Sequence, residues 1–188
     1  MFSRLVALFL LILALPLLAL LALLVALSMG RPVIFRQTRS GKDGQGFVLV
    51  KFRSMSDARD AKGELLSDAE RTTLVGSLLR RTRLDELPGL FNVVRGDMGF
   101  VGPRPLLPHT IAEKGDAGRR RGEVRPGLTG WAQVNGNTLL TLDEKIALDL
   151  WYIDNRNMWL DLQIVIRTLL VMVGGERRTA SAVRETGS

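Results

Sequence analysis

The chain has 188 residues, 46% hydrophobic and 24% charged, with 26 Lys and Arg against 19 Asp and Glu for a formal charge of +7. That balance suits one folded domain with an appendage and excludes a disordered or collagen-like polymer. Zero cysteines remove disulfides, iron–sulfur clusters and thiol nucleophiles, and the single histidine, His109, argues against a histidine-based zinc site or a Ser-His-Asp triad, so any chemistry must run on carboxylates, basic groups and backbone.

Leu5 to Leu27 is a run of 23 residues with no polar side chain. As a straight helix it reaches about 34 Å, enough to span a hydrocarbon core, whereas the apolar part of a cleaved signal peptide is about 7 to 15 residues. Pro16, near its middle, deletes a backbone hydrogen bond and predicts a kink. The kinked helix either spans, bent, or turns back to the face it entered. Arg31, Arg36, Arg39 and Lys42 follow the run and place the body that follows on the cytoplasmic side. Arg4 precedes it, so charge alone does not choose between the two geometries.

Pro32 to Arg39 and Phe47 to Arg53 are rich in β-branched and aromatic residues around the turn cluster Ser40 to Gly46, which predicts a β-hairpin. Ser67-Asp68-Ala69-Glu70 reads as a capping box opening a helix with Leu74, Leu78 and Leu79 on one face, slightly weakened by Gly76. Thr82 to Val94 resumes helical spacing, with Pro88 near its first turn, and Gly96 to Pro108 is loop by its Gly and Pro density. Arg119-Arg120-Arg121 reads as a solvated charged face. Thr141 and Glu144 form a second capping box ahead of Ile146, Leu150 and Ile153. Trp159 to Val173 is apolar but punctuated by Asp161, Gln163 and Arg167, so it either lies in a membrane interface, with Trp151, Tyr152 and Trp159 at headgroup depth, or packs in the core. Gly174 to Ser188 reads as a flexible tail.

Candidate chemistry concentrates between Lys51 and Asn137. Asp85-Glu86 is an adjacent carboxylate pair beside Arg80, Arg81 and Arg83. It either caps a helix start or, held ionised among cations, attacks phosphorus or binds Mg²⁺. Pro103-Arg104-Pro105 fixes one guanidinium between two prolines, a rigid turn or a fork of donors suited to a diphosphate. Gln133 and Asn135, set among Gly127, Gly130 and Gly136 around Trp131, either read a ligand's polar groups or belong to glycine turns packed on the Trp.

In order along the chain, Phe35-Arg36-Gln37, Lys51-Phe52-Arg53-Ser54-Met55, Leu84-Asp85-Glu86-Leu87-Pro88, Gly96-Asp97-Met98, Gly102-Pro103-Arg104-Pro105, Arg125 to Gly136 and Trp151-Tyr152 resemble the bacterial sugar transferase family. More narrowly, they resemble its small monotopic polyprenyl-phosphate phosphoglycosyl transferases. The resemblance implies transfer of a phospho-sugar from a UDP-sugar to undecaprenyl phosphate with release of UMP, the first membrane step of a glycan. It implies Asp85 as nucleophile, forming an aspartyl phospho-sugar, Glu86 completing the dyad, and Mg²⁺, or Mn²⁺, beside the two. Lys51, Arg80, Pro103, Arg104, Pro105, Gln133 and Asn135 follow as substrate contacts.

The implied fold is α+β: a re-entrant membrane helix over 1–30, a cytoplasmic catalytic domain with interfacial helices over 31–173, and the tail over 174–188. The implied place is the bacterial inner membrane, on its cytoplasmic face, with membrane lipids as partners, no nucleic acid, and self-association left open. Leu15-Pro16 stands where the family commonly has Ser-Pro. Two other readings are a membrane-tethered basic binding protein and an inactive scaffold of the same fold. The first lacks the aromatic-basic alternation of a single-strand binding surface.

Overall fold

The computed structural model describes residues 2–179 and Ala182. The fold is α+β: a long N-terminal helix, a β-hairpin, a small parallel strand pair and a series of mostly short helices. Helix α1 (Phe2–Met29) is continuous through Pro16. It is long and apolar enough to cross a membrane, and 11% of its most apolar window is buried, so it is not a core helix. Its inward stripe touches the body at both ends. Ala7 packs with Val93 and Met98, while Leu21 and Val25 pack with Phe52 and Leu79. The buried Arg53 guanidinium donates to the carbonyls of Met29, Gly30 (2.9 Å) and Arg31, satisfying acceptors that the helix end leaves open. At the other end Arg4 lies against Gly96, where an added Cβ would fall 1.9 Å from its Nη2.

Strands β1 (Ile34–Ser40) and β2 (Gly46–Phe52) form the expected antiparallel hairpin, registered from Ile34 opposite Phe52 to Ser40 opposite Gly46. The Ser67–Glu70 capping box is present, but its helix, α2 (Asp68–Arg71), lasts four residues because Thr72 turns extended. Thr73 caps a new helix, α3 (Leu74–Thr82). The expected apolar face is therefore wrong in part: Leu79 is buried, whereas Leu74 is 91% exposed and Leu78 also faces out. Gly76 has a use, since a Cβ there would lie 2.0 Å from the Ser54 carbonyl oxygen; its absence lets α3 close on the segment after β2.

The single helix expected over 82–94 is split. Arg83 turns left-handed (φ 56°), Leu84–Gly89 is a 3₁₀ turn containing Pro88, and only Leu90–Arg95 is α-helical (α4), ended by left-handed Gly96. The expected loop carries β3 (Gly99–Val101), paired in parallel with β4 (Gly127–Thr129). Helices α5 (Pro108–Glu113) and α6 (Gly115–Arg121) follow β3; the solvated-face reading holds for Arg119 and Arg120, which are exposed, and is corrected at Arg121, which is buried. After β4, the chain forms α7 (Trp131–Val134), α8 (Leu142–Asn155), opened by the Thr141–Glu144 capping box, and α9 (Met158–Gly174).

The core-packing reading of the 159–173 run holds for one face of α9, the other face is exposed, and Tyr152, expected at headgroup depth, is buried. Leu160 and Ile164 join Trp131, Leu148 and Tyr152 in the core, while Trp159, Leu170 and Val173 are exposed. Arg167 turns inward, its guanidinium 4.9 Å over the Trp131 ring. The described part of the expected tail contacts the body: Thr179 donates its amide to the Asn135 carbonyl (3.0 Å), and Glu176 accepts from Arg83 and Thr138. Residues 180, 181 and 183–188 of the expected tail lie outside the described residues, as does Met1.

Candidate active site

Three pieces of backbone meet at the site: the end of β2, the 3₁₀ turn, and the loop after β3. Asn92, with no exposure, fastens the first two. Its amide accepts from Val50 N (3.1 Å) and donates to Val48 O (2.7 Å), which pins α4, and the turn before it, to the hairpin edge. Gly102 N donates to Thr129 O (3.0 Å) and Gly127 N to Pro103 O (3.0 Å), fixing the third piece. A Cβ on Gly127 would sit 2.1 Å from Gly102 N, so only glycine allows that approach.

Asp85 and Glu86 open the 3₁₀ turn. Neither caps it by a side-chain hydrogen bond. Asp85 is 6% exposed, and burial, reinforced by the like charge of Glu86, pushes its carboxyl up to about 6 against the pull of Lys51, Arg104 and Arg80. Burial acts on Glu86 in the same upward sense. There the charge and hydrogen bond of Arg104 (2.5 Å to Oε1), with Arg83 and Lys51, win and hold it below the usual range. One carboxylate of the dyad is thus clamped by a guanidinium, and the other is approached by cations without being bonded to any among the described residues.

Arg104, Lys51 and Glu86 line one cleft with Arg39, Pro105 and Leu128. Lys51 Nζ stands 5.2 Å over the Phe35 ring, and burial, the first of its influences, lowers its pKa. Arg80 is exposed and donates to Ser54 Oγ (2.9 Å), beside a second hollow that also reaches Lys51. Lys51, Arg80, Asp85, Glu86, Arg104 and Pro105 are therefore brought together around these two hollows, while Pro103 lines a separate one with Ile111 and Arg121. Gln133 and Asn135 do not join them: both are buried, Gln133 Nε2 donating to Leu128 O (3.2 Å) and Asn135 bridging Trp131 O (2.9 Å) and Arg167. Their amides support the backbone and do not face the cleft.

Four residues were missed by the sequence reading. Arg39 lines the cleft and donates to Pro105 O. Glu176 accepts from Arg83 (3.1 Å), from Asn137 and from both the amide and hydroxyl of Thr138. Arg121 Nε donates to Asp149 Oδ2 (2.7 Å), both side chains almost fully buried, and Arg121 Nη2 reaches the Arg104 carbonyl. Asp149 offered one signal, its position three residues from both Ile146 and Tyr152 on an apolar helix face.

No group of three or more metal-ligating side chains occurs among the described residues. The Asp85–Glu86 pair still fits a hard divalent cation, which takes one or two carboxylates and completes its shell with substrate phosphates. Asp85 in particular is a buried carboxylate short of compensating charge. Next to the dyad runs an apolar groove of 210 Å³ walled by Leu87, Phe100, Leu128, Val165, Leu169 and Met172, with Arg83 and Glu86 at its polar edge.

The bacterial sugar transferase family model matches residues 1–175. A protein named uncharacterized sugar transferase EpsL from Bacillus subtilis (strain 168) is 46% identical over 168 residues, 87% of this chain and 83% of its own length. The UDP-glucose:undecaprenyl-phosphate glucose-1-phosphate transferase of Escherichia coli (strain K12) is 42% identical over 167 residues, 82% of this chain but 35% of that protein. The UDP-N-acetylgalactosamine-undecaprenyl-phosphate N-acetylgalactosaminephosphotransferase of Aeromonas hydrophila is 39% identical over 169 residues, 85% of this chain and 40% of that protein.

Proposed function

Because the chain belongs to the bacterial sugar transferase family, we propose that it transfers a phospho-sugar from a UDP-sugar to undecaprenyl phosphate, releasing UMP. The observation that carries this reading is Asp85, a buried carboxylate with no hydrogen bond to hold it among the described residues, faced by Lys51 and Arg104 and set beside a clamped Glu86. A carboxyl raised to about 6 is still mostly ionised at neutral pH, and it is more basic than an ordinary aspartate.

In the first step an Asp85 oxygen attacks the sugar-linked phosphorus, the bond from that phosphorus to the bridging oxygen breaks, and UMP leaves with the electron pair. An aspartyl phospho-sugar remains. In the second step an oxygen of undecaprenyl phosphate attacks the same phosphorus and frees the Asp85 carboxylate, giving a polyprenyl diphosphate sugar. Arg104 and Lys51 bind the diphosphate, with Arg39 beside them, and Glu86 fixes the Arg104 fork. Mg²⁺ or Mn²⁺, held by Asp85 and Glu86, would neutralise the diphosphate and the leaving UMP. Taking the anions in turn keeps two charged substrates from sharing one pocket.

Membrane geometry agrees with this order. Both ends of α1 dock on one body, which supports a re-entrant helix with its N-terminal end and the catalytic domain on the same side, and the flanking basic residues support the cytoplasmic face of the bacterial inner membrane. The apolar groove ending at Arg83 and Glu86 suits the first isoprene units of an acceptor whose phosphate stands at headgroup level. The relatives' names differ in sugar, glucose in one and N-acetylgalactosamine in another, so the donor is drawn from UDP-sugars as a class.

The test is UMP release from a panel of UDP-sugars with Mg²⁺. Turnover that requires undecaprenyl phosphate with at least one donor is expected; no UMP from any donor would overturn the reading.

A further inference from the structure

We propose that the buried Arg121–Asp149 pair positions Arg104, acting through the Arg104 main chain and not on substrate. This rests on the reading of Arg104 as a diphosphate contact.

Pro103 and Pro105 bracket Arg104 and offer no N–H, so the loop has few ways to fix its own middle. The loop is tied on both flanks, at Gly102 N, at Pro103 O and, through Ser40 N, at Leu106 O (2.9 Å). At Arg104 itself the single main-chain hydrogen bond among the described residues comes from Arg121 Nη2 to the carbonyl. Arg121 in turn is held at Nε by Asp149 Oδ2 (2.7 Å) on α8, the 14-residue helix with the complete capping box. The line therefore runs from a well-anchored helix, through a fork of donors, to a carbonyl, and from that residue's guanidinium to Glu86.

The arrangement is expensive for mere packing. Both side chains are at most 5% exposed, and Asp149 Oδ1 has no hydrogen-bond partner among the described residues. Apolar side chains of similar volume would fill the space at little loss of stability. What apolar groups cannot do is donate to the Arg104 carbonyl while gripping α8. A lysine cannot do both either, since it is a single point donor.

The test uses the full-length protein in detergent and the double substitution Arg121→Met/Asp149→Leu, which removes both charges together. It should fold, and hydrogen exchange of the amides that tie the segment Gly102–Leu107, Gly102 N–H to Thr129 O and the Gly127 and Ser40 N–H groups to Pro103 O and Leu106 O, should quicken about tenfold while the core of α8 is unchanged. Unchanged exchange in that segment would overturn the proposal. In UMP-release kinetics the double variant should lose about 100-fold in kcat/KM for the UDP-sugar. Adding Arg104→Ala to it should cost far less than Arg104→Ala costs in the wild type, because one interaction would have been broken twice; an equal cost in both backgrounds, which is additivity, would contradict the positioning role. Should the double variant misfold, Arg121→Lys is read by the same exchange measurement, with the same segment expected to quicken and an unchanged segment again overturning the tether. A wild type that releases no UMP would defeat the proposed function, while the exchange arm would still decide the tether.

Discussion

Asp85 and Asp149 are both buried aspartates with raised pKa values, yet the protein treats them oppositely. Asp149 stands on a long capped helix and is met by a buried guanidinium at 2.7 Å. Asp85 stands on a 3₁₀ turn entered through a left-handed arginine, and of the cations that act on it Arg104 is bonded to Glu86, Arg80 to Ser54, and Lys51 stands over the Phe35 ring. A paired buried charge is committed to structure; an unpaired one is free to form a bond. The unpaired carboxylate costs stability, a sign that its place was set by chemistry.

The largest effect should come from removing the free carboxylate. Asp85→Asn keeps the shape and discards the nucleophile, so UMP release should fall by roughly 10³-fold or more, about 4 kcal/mol in barrier. Steady-state kinetics at saturating UDP-sugar would show it, and a loss under tenfold would make the two aspartates equivalent in kind.

Breaking the paired aspartate from the other side should instead damage the fold. Arg121→Met alone strands the Asp149 charge, and a loss of about 3–5 kcal/mol in unfolding stability is expected by denaturant titration. The double replacement with Asp149→Leu should restore most of it.

The same comparison has a pH signature at Asp85. Its folded pKa, about 6, lies above the ordinary value of 3.8, so the native state binds this proton more tightly than the unfolded chain and the ionised form penalises folding. The penalty is complete above about pH 6 and vanishes below about pH 4. In metal-free buffer Asp85→Asn should therefore melt higher than wild type at pH 7, by up to about 3 kcal/mol, with the gain shrinking as pH falls to 4. A gain that grows on acidification would reverse the assignment.

A smaller effect is expected at Glu176. Its carboxylate ties Arg83, the left-handed residue ahead of the dyad, to Asn137, also left-handed at φ 43°, and to Thr138. Glu176→Ala should cost about 1–2 kcal/mol in thermal unfolding. Wild-type melting would show that the contact contributes nothing.

What was legible in the sequence was local. The apolar run, the hairpin around Ser40 to Gly46 and both capping boxes are written in adjacent residues, and each appears where expected. The ordered motifs gathered Lys51, Arg80, Asp85, Glu86 and Arg104, and the structure brings these together. What was not legible depends on tertiary packing. Helical spacing across 82–94 hid the break at Arg83, which is held by Glu176 some ninety residues later. A run of three arginines reads as solvent-facing until α8 supplies Asp149 to one of them. Gln133 and Asn135 read as ligand amides because their burial under Trp131 and α9 has no local mark.

Covalent loading of Asp85 is the step that separates the two-step route from direct transfer. Purified protein, incubated with a UDP-sugar that supports turnover and Mg²⁺ but no polyprenyl phosphate, then rapidly quenched, should gain the mass of one phospho-sugar and release a matching amount of UMP. Asp85→Asn should gain nothing. A wild type that turns over yet never carries the adduct, or an adduct that persists in Asp85→Asn, would contradict the covalent route and leave direct attack by the lipid phosphate or a nucleophile other than Asp85.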